Sequence, residues 1–201
     1  LLATAQANQA ERFGVGLAEL YGVVTSESDP VRVHVTLQEM YHTRILADVL
    51  ALFDLPIRHR PPALGMRAMT HLMVRTPDRW HLQLVGAGEM VGCVMFTTLR
   101  DRGLELFAQD TEVAARIRRL FDEILGDELG HVGLIASQLG PCGRAVMRGL
   151  YRLLAVPLGA QVPALVALLG RHELRRRFRA DLRPDVMAAE LPGLAYVAAN
   201  P

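Results

Sequence analysis

Lysine is absent from this 201-residue chain, so its 22 basic residues other than histidine are all arginine. The formal net charge is +1, and no one-signed field argues for nucleic acid as a partner. Cysteine is scarce: Cys93 and Cys142 are the only two, too few for a disulfide framework, which points to a reducing, cytoplasmic setting. No basic n-region, apolar h-region and small-residue cleavage site opens the sequence, so the expectation is a chain not marked for export. Aromatic residues make up only 5%, and no Val/Ile/Thr-rich alternating segment occurs, which removes the usual signal for strands. Leu, Ala, Val and Met fill long apolar-periodic runs instead, within a 51% hydrophobic composition. The expected fold class is all-α, in one domain or one domain with an extension.

Punctuation by Pro and Gly divides the runs. A first helix is expected from about Thr4 to Val24. The turn Thr25–Pro30 follows, with Ser28 or Asp29 as N-cap and Pro30 at the first helical position. A second helix runs to about Phe53, and the proline-rich stretch 54–62 ends it. A short crossover helix is expected through Met66–Val74. Pro77 opens a third long helix, which Gly103 should stop near Arg102. Asp110 or Thr111 starts a fourth, closed by Gly140-Pro141. Two apolar helices follow, about Arg144–Val156 and Gln161–Leu169, and then an arginine-rich segment and a tail. The division expected is 1–140 as a four-helix unit and 141–201 as a helical extension packed on it.

Two Glu-x-x-His pairs stand out, Glu39-Met-Tyr-His42 and Glu128-Leu-Gly-His131, on the second and fourth long helices. Residues three apart share a helix face, so each pair presents a carboxylate and an imidazole to one point. Four-helix bundles that hold two iron or manganese ions use this pattern twice, with one further Glu from each remaining helix. Glu89 is the third-helix candidate, because it is the only charge in Leu84–Phe96 and a buried carboxylate needs a partner. On the first helix, depth from the hairpin turn favours Glu11, with Glu19 as the alternative. The expected ligand set is Glu11, Glu39, His42, Glu89, Glu128 and His131. Carboxylate-rich donors with two imidazoles suit iron, manganese or a mixed pair. His34 and His81 read as surface or supporting residues, and His59, His71 and His172 receive no role.

With these residues in place, residues 4–139 resemble the ferritin-like di-iron carboxylate superfamily. The fourth-helix motif Asp127-Glu128-Leu-Gly-His131 has the Asp-Glu-x-x-His form shared by bacterioferritins, soluble desaturases and bacterial multicomponent monooxygenases. The resemblance implies a ferritin-like four-helix bundle with added C-terminal helices, two iron ions, O₂ as co-substrate and an external electron donor. It also implies that Asp127 holds His42, orienting the ring. Met40, in the place where a bacterioferritin methionine can meet haem, reads here as a helix-packing residue.

Function then divides between an O₂-activating oxidase or oxygenase, with Glu39, Glu89 and Glu128 at the reacting centre, and a ferroxidase that handles iron. A metal-free helical interaction protein is the third class. Three features favour a small, lipid-like or carrier-bound organic substrate. Glycines crowd the ligands (Gly14, Gly16, Gly86, Gly88, Gly92, Gly126, Gly130 and Gly133) at about 1 kcal/mol each relative to Ala in a helix, which suggests useful space or close helix contact. Cys93 lies one turn after Glu89, either beside an O₂ pocket or in plain core. The region after the fourth helix is long enough to roof a cavity and argues for a monomer or homodimer rather than a shell. The uncharged stretch 153–170 reads as a packed helical pair or dimer contact, with peripheral membrane attachment as the alternative. Arg171–Arg179 is a solvated face or a dock for something anionic.

Overall fold

The computed structural model describes residues 1–21, 30–54, 61–180, 182, 187 and 191. Seven helices and no strand occur among the described residues: α1 (Leu2–Leu20), α2 (Pro30–Ala51), α3 (Leu64–Arg75), α4 (Asp78–Leu106), α5 (Thr111–Gln138), α6 (Pro141–Gly159) and α7 (Pro163–Arg179). The all-α expectation holds. The expected cap at Ser28 or Asp29, the end of the first helix at Val24, and His59 lie outside the described residues.

The long helices form two hairpins. In the α4/α5 pair the facing residues are Gly103 with Ile117, Arg100 with Asp122, and Gly92 with Glu128, so each step forward on one helix is a step back on the other. The pair is antiparallel, as a turn of a few residues between packed helices requires. Asp110 caps α5 by accepting the Val113 backbone N–H at 3.1 Å. Gly103 does not stop α4, which continues to Leu106. Its role is close approach: a Cβ there would sit 3.0 Å from Ile117 Cγ2. The α1/α2 pair is tied by Asn8, a buried amide on α1 that donates to the Thr43 carbonyl on α2. The hairpins meet where α2 lies against α5.

The remaining helices cover one side. α3 bridges α1 and α4, α6 lies along α4, and α7 packs on α6 and touches α1. α6 is longer than the sequence suggested. It begins with Pro141 at its N-terminus and runs through Pro157, an exposed position where solvent can satisfy the carbonyl the ring leaves unbonded. α7 breaks at Gly170, whose φ of 74° is left-handed and suits glycine, and the arginine-rich segment continues as helix beyond it. That segment is partly internally neutralised: Glu173 accepts from Arg176 and Arg177, and Arg177 also reaches Asp101 of α4 at 3.5 Å. The stretch 153–170 is a bent pair, α6 and α7 meeting at 115°. Among the described residues α4 is the one single helix long and apolar enough to pass for a membrane span, with a mean hydropathy of 1.4, and the bent α6/α7 pair passes only as a unit; 61% of the α4 window is buried within the protein.

Phe178 locks this cover in place, fully buried on α7 with its ring where a Cβ on Gly159 would lie 2.9 Å away. A Gly159→Val substitution should therefore overpack the α6/α7 contact. We expect a loss of about 1–3 kcal/mol in urea unfolding, against a gain of up to about 1 kcal/mol for Gly149→Ala, where a Cβ meets nothing.

Candidate metal centre

The two Glu-x-x-His pairs face one another across the α2/α5 contact, deep in the bundle. His42 is fully buried, and Glu128 and His131 are nearly so. Glu11 from α1 and Glu89 from α4 approach from the other two long helices, both half-buried. All six side chains expected at the site converge. They form two donor groups, Glu11–Glu39–His42–Glu128 and Glu39–Glu89–His131, each with ligand-capable atoms mutually within 4.8 Å, and Glu39 belongs to both. Glu19, the alternative on α1, is exposed and belongs to neither group.

The imidazoles present Nδ1 inward. His42 Nδ1 lies 3.3 Å from Glu128 Oε1 and 3.7 Å from Glu39 Oε2. His131 Nδ1 lies 3.0 Å from Glu39 Oε1 and 3.5 Å from Glu89 Oε2. Despite these short distances, His42 Nδ1, His131 Nδ1 and Glu39 Oε1 are buried without any aligned hydrogen bond. Three orphaned donor atoms pointing at common points is the arrangement expected where a cation completes the bonding, since buried polar atoms are otherwise almost always satisfied.

The outward nitrogens are held by a continuous hydrogen-bond chain. His42 Nε2 lies 3.1 Å from Asp127 Oδ2, Gln38 Nε2 donates to Asp127 Oδ1 at 2.5 Å, and His131 Nε2 lies 3.1 Å from Gln38 Oε1. A carboxylate only accepts, so the Gln38 amide must turn its NH₂ toward Asp127 and its oxygen toward His131. Both imidazoles then donate from Nε2 and direct Nδ1 at the centre, where it can offer its lone pair once a metal displaces its proton. Asp127 holds His42, as the resemblance implied. Gln38 was missed by sequence reading, although the signal was present: it precedes Glu39 as Asp127 precedes Glu128.

The electrostatics of the protein alone show the same need for positive charge. Burial, reinforced by the charges of Glu39 and Glu128, pushes the Glu11 carboxyl well above the carboxylate range. Burial and the Glu89 charge do the same to Glu128. Burial opposes the imidazolium at His131, but the Glu39 and Glu89 carboxylates outweigh it and carry the group to about 11; His42 is raised likewise by Asp127, Glu128 and Glu39. Glu39, which burial alone would raise, is instead held below its usual range by the two histidines. Protons stand in for cations among four carboxylates.

On the far side from the histidines, the carboxylates open into a cavity of about 300 Å³. Glu11, Glu39, Glu89 and Glu128 line it, and His42, His131, Gln38 and Asp127 do not. Its walls are mainly apolar: Met66, Met69 and Met73 from α3, Val91 and Met95 from α4, and Leu158 from α6. The region after the fourth helix thus contributes to the roof. His81, expected at the surface or behind the ligands, lines the cavity, its Nδ1 3.1 Å from the Met73 carbonyl. Cys93 is fully buried core and lies outside the lining. Met40 is 43% exposed, so it does not serve helix packing; it lies on the outer face of α2 with Tyr41 and Leu37.

The glycines divide by role. Gly14, Gly88 and Gly92 border the cavity. Gly92 also makes room for a ligand, since a Cβ there would lie 2.8 Å from Glu128 Oε2. Gly86 serves helix contact against Ile135 and Met147, while Gly16, Gly130 and Gly133 face open space.

No family model matches the chain, and neither the curated proteins nor the solved structures include a significant match to it.

Two outcomes follow for divalent metal binding. Removing an outward hydrogen bond by Gln38→Leu or Asp127→Ala should weaken metal affinity about 10–100-fold with the fold intact by circular dichroism. The raised carboxyls of Glu11 and Glu128 and the raised imidazoles hold protons in the metal-free fold. Metal must displace those protons, so loading should release acid and apparent affinity should rise with pH, as titration in buffers of different ionisation enthalpy would detect.

Proposed function

We propose that this chain is a ferritin-like di-iron protein that uses O₂ to oxidise a small or lipid-like organic molecule by hydroxylation, desaturation or a related cleavage. The observation that carries this reading is the apolar cavity whose floor is the four carboxylates and whose volume, about 300 Å³, lies in the range of small-molecule sites. A protein that only oxidises iron for storage needs a path for hydrated cations rather than a methionine-walled space. The orphaned Glu39 and histidine atoms fit two metals, with Glu39 placed to serve both. Manganese at one or both positions satisfies the same donors.

When bound, two irons supply the electrons and the Lewis acidity needed to activate O₂, recharged by an external donor. The protein's part is positional. Gln38 and Asp127 fix the two imidazoles from behind, so the histidine side of the centre is rigid. The carboxylates face the cavity and can reorient as charge changes. Met66, Met69, Met73 and Met95 exclude water and adapt to the shape of an apolar molecule lying over them.

Two glycines test the reading. A Cβ on Gly88 would meet only the flexible Met73 terminus at 3.0 Å, whereas one on Gly92 would strike the Glu128 carboxylate. Gly88→Leu should keep two metals per chain and still consume O₂ when pre-reduced, while losing substrate-accelerated oxidation. Gly92→Ala should lose metal. Wild-type protein without bound metal after reconstitution, or a shell of hundreds of kilodaltons by light scattering, would overturn the proposal.

A further inference from the structure

The cavity also carries information about the molecule it takes, and this step rests on the proposed function above. We propose that its ligand is an elongated, uncharged molecule with a hydrogen-bond-donating group, a hydroxyl or amide N–H, seated on His81.

Charge comes first. No arginine lines the cavity and the chain has no lysine, so no permanently charged cation there pairs with a carboxylate or phosphate. At the floor, four carboxylates are balanced once two divalent cations are held, which leaves no net charge to attract a cationic ligand either. An ion buried in such a space would be unpaired, and that is costly. Hence the ligand is neutral.

Polar groups come next. Apart from the floor carboxylates, the polar side chains on the lining are Thr36, Thr70 and His81. Thr70 donates its hydroxyl proton to the Met66 carbonyl at 3.0 Å. His81 Nδ1 lies 3.1 Å from the Met73 carbonyl, an oxygen that only accepts, so the ring proton sits on Nδ1. Nε2 is then the nitrogen left for a ligand, and in the Nδ1–H tautomer it carries a lone pair that a ligand that donates satisfies and one that only accepts does not.

Length follows from the helix. His81 and Glu89 lie eight residues apart on α4, about 12 Å at 1.5 Å per residue. A molecule anchored at His81 must span that distance through apolar walls to reach the carboxylates.

Calorimetric titration of the metal-loaded full chain with simple amphiphiles tests this, with metal content assayed on the same samples. We expect decan-1-ol to bind about tenfold tighter than decyl methyl ether, which cannot donate, as one hydrogen bond warrants. It should bind at least about 100-fold tighter than decanoate or decylammonium, and than butan-1-ol, which is too short. His81→Leu should erase the alcohol-over-ether preference, and His81→Gln, which keeps an acceptor, should restore it. Equal affinity for alcohol and ether, tighter binding of either ion, or a preference surviving His81→Leu would overturn the inference; the wild-type comparisons suffice if the variants fold poorly. Alcohol preference in protein that takes up no metal would sustain the cavity inference and sink the dinuclear reading. Two bound metals without that preference would do the reverse.

Discussion

Four carboxylates, one from each long helix, meet inside this protein, and the arrangement persists only if positive charge joins them. Carboxylates this close in a low-dielectric interior repel by several kcal/mol even at a generous effective dielectric. The protein alone answers by keeping protons on His42, His131, Glu11 and Glu128, which the raised affinities of those groups express. That is a poor use of four ligand helices unless something better than a proton occupies the centre. Much of the surrounding structure follows from this constraint. Gly92 gives up a side chain so that Glu128 has room, and Gln38 and Asp127 spend their hydrogen bonds on keeping both imidazoles turned inward.

The centre is two-faced. Behind it, the histidine side is closed by a chain of three hydrogen bonds running from His42 through Asp127 and Gln38 to His131. In front, the carboxylates border a cavity roofed by α3 and the end of α6. α3 contributes no buried residue to the core, so its methionines act chiefly as cavity wall. Hydrogen-bonded imidazoles at the back and carboxylates bordering the cavity at the front are what a site needs if reactants arrive from one direction only.

Much of this was legible in the sequence because helix periodicity converts spacing into direction. Two Glu-x-x-His pairs and a lone Glu89 in an apolar run specify one face on each of three helices, and hairpin depth was enough to prefer Glu11 over Glu19. The boundaries were less legible. Gly103 reads as a stop signal, but its actual constraint is the approach of Ile117, a tertiary contact that no local pattern encodes. Met40 looked like packing because methionine on a helix usually is, and only its exposure, shared with Leu37 and Tyr41, shows that it faces out. Gln38 escaped notice because attention to acidic partners passes over a neutral amide, although its position repeats that of Asp127. His81 could not be placed because the cavity it borders depends on where α3 crosses, which the sequence around the crossover leaves open.

Gln38 in place of a second carboxylate has a consequence for how the two halves of the centre differ. His42 leans on an anion, which enriches electron density on its inward nitrogen, whereas His131 leans on an amide oxygen, a weaker acceptor. The His42 group also gathers three carboxylates to the two of the His131 group, with Glu39 counted in both. Donor count and donor strength therefore point the same way: a cation at the His42 position would be held more firmly than one at its neighbour. Such a bias is compatible with a pair of like metals and equally with a mixed pair, since affinity at N/O sites rises across the first-row divalent ions and an uneven centre can sort them. The part of the asymmetry set by Asp127 and Gln38 lies at the rear of the site, away from the cavity, so it could tune bound metals without altering the space in which an organic molecule would lie.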